Sequence, residues 1–252
     1  MNDNVCPKCK GLGWIKVKYK DKEGNTKEAY QKCNCKYQDI SETIYRRMNI
    51  PKRYKDKDLS NFELITKDLK AIHSKIEEYL NSNSYKEGKG LFLYGKPGVG
   101  KTHLAVAILK EFFRRRKLVG LFYDTNELLM NLKMTFDGSA SGREILEDVI
   151  SAPILVLDDL GAEKLSDWAR EILHYIIVKR YNELLPIIIT SNIYIKPSKR
   201  ETAFTESIEE RLGNSIASRI YEMCDRLEIK GVDLRTNKTI LTELSLKKKK
   251  GR

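Results

Sequence analysis

The chain has 252 residues and a mass of 29.2 kDa, long enough for one large domain or for an ordinary domain with a small appendage. Hydrophobic residues make up 41% and charged residues 33%, a balance that argues for a folded globular protein and against a disordered one. No segment approaches the roughly 20 apolar residues of a membrane span, and the N-terminal MNDNVCPKCK has no apolar signal core, so membrane insertion and secretion are not expected and a cytoplasmic setting is.

The formal net charge of +12 is unevenly spread. Residues 1–60 carry 15 Lys/Arg against 8 Asp/Glu, residues 236–252 carry 6 against 1, and residues 61–235 balance. The surplus therefore sits at the two ends. Such ends suit a phosphate backbone, although the lysine run at 247–250 is also what a solvated, frayed tail looks like.

Cys6, Cys9, Cys33 and Cys35 cluster at the start, while Cys224 stands alone. In a chain of cytosolic character the cluster reads as a metal site rather than a disulfide framework. Its spacing, C-x₂-C, 23 residues, then C-x-C, offers four thiolates to a tetrahedral Zn²⁺, and a module of about 40 residues needs such a staple to fold. A redox pair or free thiols are the alternatives. The stretch 16–27 between the pairs predicts a hairpin turning near Gly24 and Asn25.

Residues 1–40 are thus assigned to a zinc module, and 41–60, with the polar run PKRYKDKDLSN, to a linker. Tyr45, Arg46, Arg47, Arg53 and Tyr54 there interleave charge and rings in the manner of a single-strand nucleic-acid contact. From 61 to 252 helix and strand alternate. Helices are expected at about 66–80, 102–116, 126–134, 142–150 and 166–182, and buried strands at 91–94, 118–123, 154–157 and 187–190. The alternation predicts an α/β domain, a parallel sheet covered by helices on both faces. Arg114 to Lys117 close the second of these helices, where positive charge favours the C-terminus, and read as structural.

GKPGVGKT at 95–102 meets G-x-x-x-x-G-K-[ST] at every fixed position, between a predicted strand and a predicted helix. Gly95, Gly98 and Gly100 let backbone amides close around phosphates. Lys101 would set its ammonium on the β- and γ-phosphates of a nucleotide, and the Thr102 hydroxyl would ligate Mg²⁺. Pro97, Val99 and His103 complete the stretch expected to border the nucleotide. The helix that follows adds its positive end to the same anion site.

ILVLDDLG sets Asp158 and Asp159 at the C-terminal end of a strand, the edge where a parallel sheet gathers ligands. Asp158 is expected to hold Mg²⁺ through water, and Asp159 to polarise an attacking water. IIITSN ends the next strand at Ser191 and Asn192. Asn192 is placed to read a γ-phosphate or the lytic water, and is also an ordinary turn residue. A helix over 207–225 would carry Arg211, Arg219 and a buried Cys224, with Arg226 and Arg235 following. These arginines are either surface residues or nucleotide-directed: Arg219 toward a neighbouring subunit's γ-phosphate, Arg235 toward its own chain's nucleotide.

GKPGVGKTHLA, ILVLDDLGAE, IIITSN and SRIYEMC followed by GVDLR resemble, in order and spacing, the Walker A, Walker B, sensor 1, arginine-finger and sensor 2 segments of AAA+ ATPases of the DnaC/DnaI helicase-loader group. The resemblance covers about residues 50–240. It implies an AAA+ P-loop NTPase fold, an ATPase with Arg219 as finger and Arg235 as sensor 2, and self-association through the ATP site. It also implies a switch that binds the replicative hexameric helicase and places it on single-stranded DNA, with the zinc module contacting the helicase as in DnaI-type loaders.

Two features depart from the pattern. Asp159 stands where most AAA+ proteins have Glu, which implies slow hydrolysis, and only 17 residues follow Arg235, which implies a reduced lid and no appended helix-turn-helix. An IstB-type transposition helper ATPase and a non-hydrolysing ATP-gated adaptor are the rival readings.

Overall fold

Short apolar runs alternating with amphipathic helices build a parallel sheet in the computed structural model, which describes residues 14–20, 24, 26–32, 43–135, 140–162, 164–193, 207–231 and 233–235. The chain divides into two units, Met1–Arg47 and Met48–Arg252. In the first, β1 (Trp14–Lys20) and β2 (Thr26–Lys32) pair antiparallel, Trp14 opposite Lys32 and Lys20 opposite Thr26. Gly24 lies between them at φ +84°, where the sequence places the turn. Cys6, Cys9, Cys33, Cys35 and the basic tail from 236 lie outside the described residues.

The second unit runs α1 (Lys67–Asn81), β3 (Gly90–Tyr94), α2 (Lys101–Arg116), β4 (Leu121–Asp124), α3 (Thr125–Thr135), α4 (Ala140–Ser151), β5 (Leu155–Asp158), α5 (Asp167–Asn182), β6 (Ile187–Ser191), α6 (Ile208–Leu212), α7 (Asn214–Met223) and β7 (Cys224–Glu228). The sheet order is β4-β5-β6-β3-β7 with every pairing parallel. β5 and β6 are buried throughout, as strands covered on both faces must be. Caps start the helices: the Thr66 hydroxyl accepts from Leu69 N–H at 3.2 Å and the Ser166 hydroxyl from Ala169 N–H at 3.2 Å. Among the described residues, no helix follows β7, and none is long and apolar enough to cross a membrane.

Three expectations are corrected. The helix predicted over 207–225 breaks at Gly213, which sits at φ +91°, and its last residues turn into a fifth strand. Cys224 is buried as expected, but as the first residue of β7 rather than on a helix. The strand expected at 118–123 pairs only over Leu121–Asp124.

A fourth correction concerns the linker. From Met48 onward it belongs to the second unit, with Met48, Ile50 and Leu59 buried. Two short 3₁₀ turns, Lys52–Tyr54 and Leu59–Asn61, shape it. Lys110 of α2, wholly buried, donates to the carbonyls of Tyr54 (3.4 Å), Lys55 and Lys57 (2.9 Å). It also pairs with Asp58 at 3.6 Å, and Arg114 reaches the same carboxylate at 2.7 Å. A buried ammonium needs such a shell of acceptors, so the segment is fastened to α2 by its own backbone. Further along α2, Arg115 pairs with Glu77 at 2.9 Å, and Arg116 donates to the Leu80 and Ser82 carbonyls. The basic run thus ties α2 to α1.

Candidate nucleotide-binding site

The loop from β3 to α2 turns on glycines. Gly100 caps α2 at φ +102°, and a Cβ there would stand 2.7 Å from Phe62 Cε2. Gly98 sits at φ +78°, and its Cβ would stand 1.9 Å from Asp233 Oδ1. Both positions therefore need glycine for conformation and for space. The Leu234 N–H donates to the Gly98 carbonyl at 3.1 Å, which lays the 233–235 segment against the loop. Pro97 is exposed on the loop and Val99 is buried beneath it.

Lys101 begins α2 with only 6% of its surface exposed. Its Nζ donates to the carbonyls of Gly95 and Lys96, both at 2.8 Å, and to Asn192 Oδ1 at 2.7 Å. Asn192 in turn donates from Nδ2 to Asp159 Oδ1 at 2.6 Å. Cation, amide and acid thus form one chain across the ends of β3, β6 and β5. Burial pushes Lys101 down to about 8, with Asp159 and Asp158 opposing the shift and Arg235 adding to it.

Asp158 lies deeper. Its Oδ1 accepts from the Thr190 hydroxyl at 2.6 Å, and the Thr102 hydroxyl bonds to the same carboxylate. Burial holds it up to about 6 against those two hydrogen bonds. The adjacent Asp159 takes a left-handed φ of 55°, a conformation aspartate tolerates, and its N–H donates to Thr190 Oγ1 at 2.8 Å. Burial raises its carboxyl as well, with Lys101 opposing.

The Thr102 hydroxyl and the Asp158 carboxylate in contact are two hard oxygens of the kind Mg²⁺ takes. Among the described residues no three His, Cys, Asp or Glu gather as a metal site. A Mg²⁺ held here would therefore complete its octahedron with phosphate oxygens and water.

Beside the loop opens a cavity of about 430 Å³ lined by Arg53, Tyr54, Phe62, Lys101, His103 and Arg235, among others. His103 Nε2 lies 2.9 Å from the Asp58 carbonyl, and its ring stands edge-on to Phe62, with centroids 5.1 Å apart. Burial lowers its pKa, so the imidazole is a neutral wall. Arg53 and Tyr54, read from sequence as a nucleic-acid contact, line this cavity. Phe62, Asn61 and Thr190 are site residues that sequence reasoning missed. Asn61 and Phe62 sit in the polar stretch before α1, with no motif to mark them, and the only signal of Thr190 was its place one residue before the end of β6.

Lys101, Thr102, Asp158, Asp159 and Asn192 are thus brought together, and Arg235 joins them at the cavity. Arg219 does not line it. Arg219 Nη1 donates to Ser215 O at 2.9 Å and Ser215 Oγ at 2.8 Å on its own helix, and its guanidinium lies over the Tyr181 ring.

Residues 39–242 match the family of IstB-like ATP binding proteins. The chain is 32% identical to the replicative helicase loader DnaI of Bacillus subtilis (strain 168) over 154 residues, 60% of this chain and 48% of DnaI. It is 31% identical to the replicative helicase loader DnaC of Escherichia coli (strain K12) over 123 residues, 48% of this chain and 50% of DnaC. The match thus spans about half the length of these curated relatives.

Among solved structures, a crystal structure of the DnaC helicase loader superposes with a TM-score of 0.64 at 42% identity, covering 71% of this chain and all of that one. Crystalline DnaI gives 0.60 at 30% identity, covering 73% of this chain and 96% of that one. AMPPCP-bound DnaA from Aquifex aeolicus, at 19% identity and a TM-score of 0.56 over 78% of this chain and 56% of that one, shares the fold. The chain therefore belongs to the IstB-like ATP-binding protein family, built on the AAA+ P-loop fold and similar to the DnaC and DnaI helicase loaders.

Proposed function

We propose that this protein is an ATP-dependent loader that binds the replicative hexameric DNA helicase and delivers it onto single-stranded DNA. The observation that carries the reading is the similarity to the DnaC helicase loader along the whole of that solved chain, at 42% identity.

ATP with Mg²⁺ supplies the phosphoanhydride and the negative charge that the site answers. Lys101 exchanges the Gly95 and Lys96 carbonyls for phosphate oxygens. Thr102 and Asp158 would hold the metal. Asn192, no longer tied to Lys101, is free to orient a water together with Asp159, whose reach is one methylene shorter than a glutamate's, so hydrolysis is slow. Arg235 serves its own chain's nucleotide, and Arg219 that of a second copy, so that self-association depends on nucleotide. Cys6, Cys9, Cys33 and Cys35 hold Zn²⁺ and shape the module that meets the helicase.

The test is capture from the source cell's lysate with the Asp159→Asn variant in ATP and Mg²⁺, followed by identification of what is retained. The replicative helicase is expected, and its loss with Cys6→Ser and Cys9→Ser would assign the zinc module to partner binding. The family match also favours a second reading, the transposition helper ATPase. Retention of a transposase, with no helicase, would move the function there. Absence of turnover with single-stranded DNA present would instead support an ATP-gated adaptor.

A further inference from the structure

The first turn of α7 faces α5, and three polar side chains meet at that contact. Ser215 Oγ lies 3.0 Å from His174 Nε2 of α5 and 2.8 Å from Arg219 Nη1, which also donates to the Ser215 carbonyl at 2.9 Å. A guanidinium has donors and no acceptor. Ser215 Oγ therefore accepts from Arg219, and it keeps a hydrogen and a second lone pair for the bond with His174 Nε2.

A second support comes from Tyr181 of α5. The Arg219 guanidinium carbon lies 5.8 Å from its ring centroid, and the ring is held by its hydroxyl, which donates to Glu222 Oε1 at 2.7 Å. A free arginine side chain carries much rotamer entropy. Here one nitrogen is held twice and the plane is stacked, while Nη2 makes no hydrogen bond among the described residues. The group is thus restrained through Nη1 and its ring stack.

Beside it lies a cleft of about 480 Å³ whose lining includes Asp167, Arg170, Glu171, His174, Gly213 and Ser215. Arg219 does not line the cavity of its own Lys101.

We propose that Ser215 and His174 are positioning residues that aim Arg219 at the terminal phosphate of a nucleotide held by a second copy of this chain. The inference rests on the finger role given to Arg219 above and deepens it. His174 holds the Ser215 hydroxyl, and the hydroxyl holds Nη1. His174 and Ser215 are both exposed, so removing either one costs the fold little, and its effect falls on the direction of Arg219.

The test uses the full chain in steady-state ATPase assays with Mg²⁺ and single-stranded DNA, with nucleotide KM and thermal unfolding measured in parallel. Ser215→Ala is expected to lower kcat about tenfold and His174→Ala about threefold, with KM and Tm unchanged. Ser215→Thr, which keeps the hydroxyl, and His174→Gln, which keeps a hydrogen-bonding group, restore kcat. Wild-type kcat in Ser215→Ala and His174→Ala, beside an inactive Arg219→Ala, would overturn the positioning role and leave the finger standing. Wild-type kcat in Arg219→Ala, or no turnover in the wild type, would overturn the finger and the positioning role together.

Discussion

Asn192 and Lys101 are joined by a 2.7 Å hydrogen bond, and the other end of the same amide holds Asp159 at 2.6 Å. The cation that a phosphate would meet and the acid proposed to orient water are therefore tied to each other through one side chain. Neither is idle without nucleotide. A phosphate that draws Lys101 away from Asn192 would also loosen the amide that restrains Asp159.

Substitutions at the two ends of that bond separate binding from turnover. Lys101→Ala removes a charge-assisted contact worth about 1.5 to 3 kcal/mol, so nucleotide affinity falls at least about 10- to 100-fold. Asn192→Ala leaves Lys101 with its two carbonyls and one competitor fewer, so affinity holds or rises slightly while turnover drops about 100-fold. Titration with a fluorescent ATP analogue alongside steady-state turnover distinguishes them. Equal loss of affinity in both variants would refute the separation.

Lys110→Met tests whether the 48–62 segment owes its place to one buried ammonium. The variant strands the Tyr54, Lys55 and Lys57 carbonyls and removes one partner of Asp58. Asp58 retains Arg114, so the loss belongs at the low end for a broken buried pair, about 3 kcal/mol or roughly 6 to 12 °C in Tm. Because Arg53, Tyr54 and Phe62 line the nucleotide cavity, affinity for nucleotide falls as well. A calorimetric Tm within a degree of wild type would show the segment is held by other means.

The contrast between these residues explains what the sequence could tell. β3, β5 and β6 lie in the middle of the sheet, so their strands are apolar runs, and the P-loop and the two aspartates follow at fixed spacings. β7 is an edge strand whose run CDRLE buries only Cys224 and Leu227 while Asp225 and Arg226 face water. It carries no period to read. The 48–62 segment is fixed chiefly through its main-chain carbonyls, which leave no side-chain pattern and read as a polar linker. The Lys101–Asn192–Asp159 chain joins residues up to 91 positions apart, a pairing that only the sheet order β5-β6-β3 creates.

Gly98→Ala probes the contact between the loop and the 233–235 segment. A methyl there costs about 1 to 2 kcal/mol for the left-handed backbone and collides with Asp233 Oδ1, which would be 1.9 Å away. Relief requires Asp233 to move, which pulls on the Leu234 bond to Gly98 and on Arg235 at the cavity. Nucleotide affinity is expected to fall, and Gly98→Ala with Asp233→Ala to regain part of it, the backbone share remaining lost. A double variant no better than the single one would show that the collision is not what matters.

Asp158 makes stability depend on pH in a direction unusual for a carboxylate. Its folded pKa of about 6 lies above the ordinary 3.8, so between those values the folded chain binds more protons than the unfolded one. Stability therefore falls as pH rises through that window, by about 3 kcal/mol at 1.36 kcal/mol per unit. Below about pH 4 the penalty is absent, and above about pH 6.5 it is nearly complete. Asp158→Asn stays neutral throughout. Without nucleotide or metal, urea unfolding should find the variant similar to wild type at pH 4 and more stable by up to about 3 kcal/mol at pH 7.5. A gap that does not widen with pH would mean that Asp158 is already ionised in the folded chain. If it does widen, Mg²⁺ binding must expel that proton, and metal affinity should climb over the same pH range.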